Sequence, residues 1–349
     1  GVRSGRGVLR RSDGFTYKGD WVDGVVHGEG ECLWDDAHPQ KRYQGEFQDG
    51  TRQGRGCLET KEGVVYKGQF VRDECVSGQM ILPNGSMYEG ELKEWFPEGS
   101  GTAHYNDGAS FQGEWRRGIP RGPGERSGPG MATLRGCFGE AGCSGPGSRV
   151  FEVDGEVFTY KGQLKDNRMH GKGTLAWPTP NEKVYTGDFY NDSIVGSGRM
   201  SWIETGENRK TVYEGAFQEG RFHGQGKLVF ANGVVYNGAF HHGLYHGVGK
   251  IDMSSLQKGE YSGQWNMGVV EGQGTRIWPN GDVYIGGWSA SSKMHGKGSF
   301  VWADGSQYVG EFVSGRRTGN GKQIWHTGQY YIGQWRRGQP HGKGILVDP

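Results

Sequence analysis

The sequence predicts an all-β protein: an elongated, twisted, single-layer ribbon of about 14 stacked β-hairpin repeats. Three observations carry that expectation. A five-residue pattern, aromatic-x-Gly-x-aromatic, recurs from one end of the chain to the other. A second pattern, Gly-x-Gly, follows each copy at a near-constant distance. The composition agrees, since 68 of 349 residues are glycine and 12% are aromatic, while only 33% are hydrophobic. Glycine at that level usually marks a low-complexity or collagen-like chain. No Gly-X-Y period exists here, and disordered chains rarely carry so many aromatics. The glycines are therefore positional.

Taken in order, the repeats start at Tyr17 (YKGDW), Tyr43 (YQGEF), Tyr66 (YKGQF), Tyr88, Phe111, Tyr160 (YKGQL), Tyr185, Tyr213, Tyr236, Tyr261, Tyr284, Tyr308 and Tyr331 (YIGQW). The double gap after Phe111 is divided by LRGCF at 134–138, which keeps the pattern with its first aromatic replaced. That makes 14 repeats, spaced 22 to 28 residues apart. The second aromatic of the pattern falls at Trp21, Phe47, Phe70, Trp115, Phe217, Phe240, Trp265, Trp288, Phe312 and Trp335. Each repeat has a second half about ten residues on: HGEG at 27–30, HGKG at 170–173, HGQG at 223–226, HGVG at 246–249, HGKG at 295–298 and HGKG at 341–344. SGRG at 4–7 reads as the second half of a repeat cut short at its N-terminal side. The chain does not begin with Met.

Within one repeat, alternation along a strand puts Tyr17, Gly19 and Trp21 on one face and Lys18 and Asp20 on the other. A short turn, VDGVV at 22–26, leads into GEGECLW at 28–34, and Asn-Gly or Asp-Gly then joins one hairpin to the next. The glycine between the aromatics has two candidate roles. It leaves room for a ring to lie over the strand, or it supplies a backbone angle closed to other residues. The first is favoured, because a strand glycine is destabilising unless packing offsets it. Aromatic pairs add about 0.5–1.5 kcal/mol beyond area burial. A lone hairpin is marginal in water, so each repeat must share its neighbours' aromatic surface. With strands about 4.8 Å apart, 14 repeats extend on the order of 130 Å.

The array is expected to run continuously over 1–349, with a degenerate, kinked repeat at 119–150 separating sub-arrays 1–118 and 151–349. That stretch holds prolines 120, 123, 129 and 146, which remove ladder donors. It reads either as a linker or as a degenerate repeat. LRGCF and the in-register SGPG at 144–147 favour the second reading. The longer spacings before Tyr43 and Tyr213 are accounted for by insertions, DAHPQKR and ETGENRK.

Y-x-G-x-W/F followed by H-G-x-G on a period near 23 residues resembles the MORN repeat family, and the likeness covers almost the whole chain. The resemblance implies an array used as a scaffold. Such arrays occur in cytoskeletal assemblies of protists and in cilia and flagella, radial-spoke proteins among them, and some form elongated homodimers. Other members tether membranes or bind phosphoinositides, and some arrays precede methyltransferase or lipid-kinase domains. No stretch of this sequence is left over for a domain of that kind.

Catalytic chemistry finds no support in the residues. Neither a phosphate-binding G-x-x-x-x-G-K-[ST] nor a dinucleotide G-x-G-x-x-G is present, and no G-x-S-x-G elbow exists. His27, His170, His223, His246, His295 and His341 hold one repeat position. Copies two strands apart lie about 10 Å from each other, too far to share a zinc ion whose ligand nitrogens sit at about 2.0–2.1 Å. They read as turn histidines bonded to backbone, with HHGLYH (241–246) the one local cluster. No metal or cofactor is expected. Asp20, Glu46, Asp188 and Glu311 recur on the polar face and are expected to pair with neighbouring Lys and Arg.

Lys plus Arg (40) balances Asp plus Glu (39), whereas nucleic-acid binders carry a basic excess. Nucleic acid is therefore not an expected partner. Five cysteines without a CxxC pair suit a reducing compartment, and no run of 18 apolar residues occurs. The basic doublets Arg116–Arg117, Arg316–Arg317 and Arg336–Arg337 fall near hairpin turns. There they are candidates for contact with a partner or an anionic headgroup. The expected function is a non-catalytic scaffold in the cytoplasm, holding cytoskeletal or axonemal proteins. A homodimer and weak contact with anionic lipid are compatible with it, and a membrane-associated module is the alternative.

Overall fold

The computed structural model describes residues 1–178 and 181–349. The chain forms two compact units, Gly1–Arg168 and Met169–Pro349. Each is an antiparallel sheet whose strands pair in chain order. In the first, Gly5–Arg10 pairs with Thr16–Val22, that strand with Val25–Leu33, and so on to Gly142–Val153 with Glu156–Lys165. In the second, pairing runs from Arg168–Ala176 with Val184–Tyr190 to Tyr330–Arg336 with Gln339–Val347. One 3-10 turn, Ser254–Leu256, is the only helical element among the described residues.

Register is fixed by glycine. The glycine of each aromatic pattern lies opposite the last glycine of the Gly-x-Gly on both neighbouring strands, as in Gly19↔Gly30, Gly30↔Gly45 and Gly45↔Gly56. The second unit repeats this from Gly173↔Gly187 to Gly333↔Gly344. The reason is steric. A Cβ on Gly19 would meet the Tyr17 hydroxyl at 2.4 Å, and one on Gly30 would meet the Tyr17 ring at 2.5 Å. The tyrosine lies flat across the glycine row, which is the first of the two roles weighed above.

The second role, a positive φ, belongs to other glycines. The first glycine of Gly-x-Gly has φ of 65° at Gly28, 60° at Gly224 and 66° at Gly247. There the register slips: Gly19 faces Gly30 but Asp20 faces His27, which leaves Gly28 and Glu29 as a bulge. Within a repeat the two strands are joined by a two-residue turn with positive φ at both positions, Asp23 at 47° and Gly24 at 84°. This hand matches strand twist. Links between repeats are wider, as at 82–86, where Gly85 donates to the Leu82 carbonyl and Leu82 to the Ser86 carbonyl.

Residues 119–150 are strands of the first unit. Ile119–Ser127 pairs with Ser110–Arg116 and with Thr133–Gly139, which pairs in turn with Gly142–Val153. Pro123 and Pro146 occupy the middle of their Gly-x-Gly bulges, where the missing N–H is one that the ladder does not use. The boundary between the compact units lies at 168/169.

Candidate functional site: the aromatic face and its rims

A single-layer sheet buries side chains only by laying them against one another. Tyr43, Tyr185, Tyr213, Tyr236, Tyr284 and Tyr308 are fully buried all the same. Each tyrosine packs edge-on against the second aromatic of its own repeat and against that of the next. Tyr17 lies 5.3 Å from both Trp21 and Phe47, Tyr43 lies 5.2 Å from Phe47 and 5.1 Å from Phe70, and Phe111 lies 5.2 Å from Trp115. In the second unit the rungs run Tyr213–Phe240, Tyr236–Trp265, Tyr261–Trp288, Tyr284–Phe312 and Tyr308–Trp335, at 5.1 to 5.7 Å. Of the aromatics singled out by the repeat pattern, Trp288 alone is partly exposed; the rest, including Tyr66, Phe217 and Tyr331, are buried.

Each bulge turns a carbonyl inward, and tyrosine supplies the donor for it. The hydroxyl of Tyr17 donates to the Asp20 carbonyl at 2.9 Å, and that of Tyr213 to the Ala216 carbonyl at 2.8 Å. Burial pushes these phenols up to about 12 at Tyr17, Tyr185, Tyr213 and Tyr308, so they remain donors at neutral pH. The repeat at Tyr88 departs from the rule because its second aromatic is Leu92. Trp95 reaches in from the turn, at φ 70°, to pack 5.1 Å from Tyr66, whose hydroxyl donates to the Trp95 carbonyl.

The carboxylates work differently from the pairing expected of them. Their first partner is the bulge. Asp20 accepts from the Glu29 N–H at 3.3 Å, Glu46 from Arg55 at 3.0 Å, Asp188 from Ser197 at 3.1 Å and Glu311 from Asn320 at 3.4 Å. Only Asp188 among these four also bonds a cation, Lys172 at 2.6 Å, which holds its carboxyl below the ordinary carboxylate range.

Arg116, Arg117, Arg316, Arg336 and Arg337 are exposed, the first two in the first unit and the others in the second. Arg317 is different. The second residue after the turn faces the aromatic side, so its guanidinium lies 4.5 Å from the Trp335 ring and 5.6 Å from those of Trp302 and Tyr308. It also donates to the Gly338 carbonyl at 2.8 Å. It is thus engaged inside and not presented at the turn. Arg52 holds the same position in the first unit, between the rings of Tyr43 and Phe70, and pairs with Asp73 at 3.2 Å.

Histidines of the repeat position turn outward. His246 accepts from the Met267 N–H at 3.4 Å, and His27 approaches Asp49 at 3.9 Å. HHGLYH gains a member that the sequence did not suggest. His223, one strand back, lies 5.2 Å from His241, which lies 4.3 Å from His242 and 5.4 Å from His246. Burial, with His242, His223 and His246 alongside, lowers the pKa of His241. No three His, Cys, Asp or Glu among the described residues converge as metal ligands.

A row that sequence reasoning missed lines one rim of the aromatic face. Trp278, Trp302 and Trp325 precede the link turns WPNG, WADG and WHTG and are half-buried with Phe300 against the core formed by Tyr284, Tyr308, Phe312, Tyr331 and Trp335. Phe300 lies 5.4 Å from Trp278 and 4.7 Å from Trp302. A large apolar residue three places before the link glycine was the signal. In the same unit Met200, Trp202, Phe222 and Lys183 line a hollow of about 390 Å³.

Comparison with known proteins gives one family. The model described as MORN repeat matches thirteen stretches: 17–37, 43–64, 66–87, 88–110, 111–130, 160–179, 185–203, 213–235, 236–254, 261–283, 284–307, 308–330 and 331–349. The stretch around LRGCF lies outside these matches, although it folds as a strand pair of the same register. Alsin of Rattus norvegicus is 36% identical over 77 residues, and Alsin of Homo sapiens and of Mus musculus 35% over the same length. These matches cover 22% of this chain and 4% of each Alsin.

Proposed function

Because this chain belongs to the MORN-repeat family, a class of repeat-based interaction or membrane-associated modules, we propose that it is a non-catalytic scaffold that holds partner proteins in a cytoskeletal assembly. The observation that carries the reading is the half-exposed rim of Trp278, Phe300, Trp302 and Trp325. The pattern tyrosines are spent on the glycine row, whereas these rings present contact area on a rigid base. Aromatic and Arg anchors of that kind dominate protein interfaces. Repetition supports it too, since equivalent positions recur every two strands and suit several copies of a partner, or one long partner. The finer location we propose is the ciliary or flagellar axoneme, as in radial spokes.

Detergent extraction of cells expressing the tagged chain, followed by imaging, tests this. Retention in a discrete cytoskeletal or axonemal structure, lost when Trp302 and Trp325 are both replaced by Ala, is the expected result. Complete release with the membrane fraction would overturn it. A second reading, contact with anionic membrane, has one observation in its favour: the five exposed arginines 116, 117, 316, 336 and 337. Replacing them with Gln would then abolish flotation with phosphatidylserine vesicles.

A further inference from the structure

The repeats serve as controls for one another. In seven of them, among the described residues, a side chain at the fourth place of the pattern accepts the N–H in the middle of the Gly-x-Gly bulge. The acceptors are Asp20, Glu46, Glu91, Asp188, Gln264, Glu311 and Gln334. The carboxylate lies tight against the bulge, so that a Cβ on Gly54 would meet Glu46 Oε2 at 2.4 Å and one on Gly319 would meet Glu311 Oε2 at 2.5 Å. Three repeats whose bulge carries a middle N–H have no acceptor at the fourth place. One is isolated, at Gly287; the other two are consecutive, with Ala216 and Ala239, which offer no acceptor to the N–H groups of Gln225 and Val248. The space is vacated as well: a Cβ on Gly224 or Gly247 meets only the alanine Cβ, at 3.4 Å.

Histidines gather on this same outward face. His223 is the register partner of Ala216, and His241 lies two residues beyond Ala239 on the same face of its strand. His246 lies 5.4 Å from His241, and Nδ1 of His223 is buried without a hydrogen-bond partner in the chain. Two N–H groups stripped of their internal carboxylate, beside imidazoles that can donate, make a place for a carboxylate from outside.

We propose that the face around Ala216, Ala239, His223, His241 and His246 is an anion-binding site for an acidic, extended peptide segment of a partner protein. A carboxylate is favoured over a phosphate because a single planar carboxylate or carboxamide fills the corresponding space in the sister repeats, and the neighbouring imidazoles favour the charged one. The two uncapped N–H groups sit two strands apart, about 10 Å. Acidic side chains two residues apart share one face of an extended chain about 7 Å from each other, and the length of glutamate spans the remainder. This deepens the interaction-module reading by naming one class of partner. Its failure would leave the tryptophan rim and the extraction assay untouched.

The test is a titration of the full chain with a synthetic peptide carrying two glutamates two positions apart in a glycine–serine background. It is followed by the backbone amide signals of Gln225 and Val248 and by fluorescence anisotropy at low salt. The amides of Gln225 and Val248 should shift. Ala216→Glu with Ala239→Glu restores both internal caps and should weaken binding at least tenfold with no loss of melting temperature. His241→Gln should weaken it severalfold, and a peptide with glutamine in place of glutamate, which can cap the bulge but brings no charge to the imidazoles, should bind severalfold more weakly. Unchanged binding to the Ala216→Glu/Ala239→Glu chain would overturn the proposal, as would equal binding of the glutamine peptide. A response to inorganic phosphate or phosphatidylserine vesicles but not to the peptide would equally overturn it.

Discussion

A hydroxyl decides between tyrosine and phenylalanine at the head of each repeat. In eleven described repeats it donates to the carbonyl three residues on, beside the bulge. Tyr213→Phe keeps the ring but strands the Ala216 carbonyl, and should destabilise by about 1–2 kcal/mol in urea unfolding. Alkali tests the same burial. Phenols raised by desolvation from 10.0 to about 12 at Tyr17, Tyr88, Tyr185, Tyr213, Tyr261, Tyr284 and Tyr308 keep their protons in the folded chain above the pH at which the unfolded chain sheds them. Their contribution is fully present below about pH 10 and is lost as pH rises toward 12. The urea midpoint should therefore hold steady up to about 10 and fall steeply beyond it. A midpoint independent of pH over that range would show the phenols to be solvated.

At the scale of the hairpin, the bulge needs an acceptor and not a charge. Gln264 and Gln334 cap their bulges as Glu46 and Glu311 do. Glu46→Gln should then leave stability unchanged, while Glu46→Ala loses about 1 kcal/mol, both read from denaturant midpoints. Equal losses for the two would point to electrostatics. Strand, turn and aromatic stripe were legible because alternation and Asp-Gly turns are local signals. Gly19 could be read too, since only packing explains a strand glycine beside two rings. The cap was not legible. Asp20 and Glu29 are nine apart, and only a two-residue register slip brings them together. Arg317 misled for a related reason: the turn sets which residue of a basic doublet faces the rings, and the doublet itself is silent on that. Trp95 stands in for the aromatic missing at Leu92 of its own repeat, but it does so against Tyr66 of the repeat before, a contact beyond any single-repeat pattern.

Across a whole unit, the question is how far one lesion travels. Every repeat of an array touches only its two neighbours, so stability is a sum of local terms and shared interfaces. Trp265 joins two repeats. It lies 5.7 Å from Tyr236 and 5.3 Å from Tyr261, and its indole N–H donates to the Gly249 carbonyl at 3.1 Å. Trp265→Ala therefore removes a buried ring and orphans a carbonyl, a loss of about 3–5 kcal/mol. In a globular domain that loss would be spread over every amide that exchanges by global unfolding. Here it should stay local. Hydrogen exchange should quicken from strand Val235–His241 through strand Val283–Trp288 and stay unchanged from strand Gln307–Val313 onward. The rungs that hold those last strands, Tyr284–Phe312 and Tyr308–Trp335, contain no ring that touches Trp265. Exchange that quickened equally throughout Met169–Pro349 would mean that the unit melts as one body, and that a partner gripping one repeat could be felt at the far end. Confined exchange would mean the opposite: each repeat holds what it holds independently, which is the property a scaffold for several partners requires.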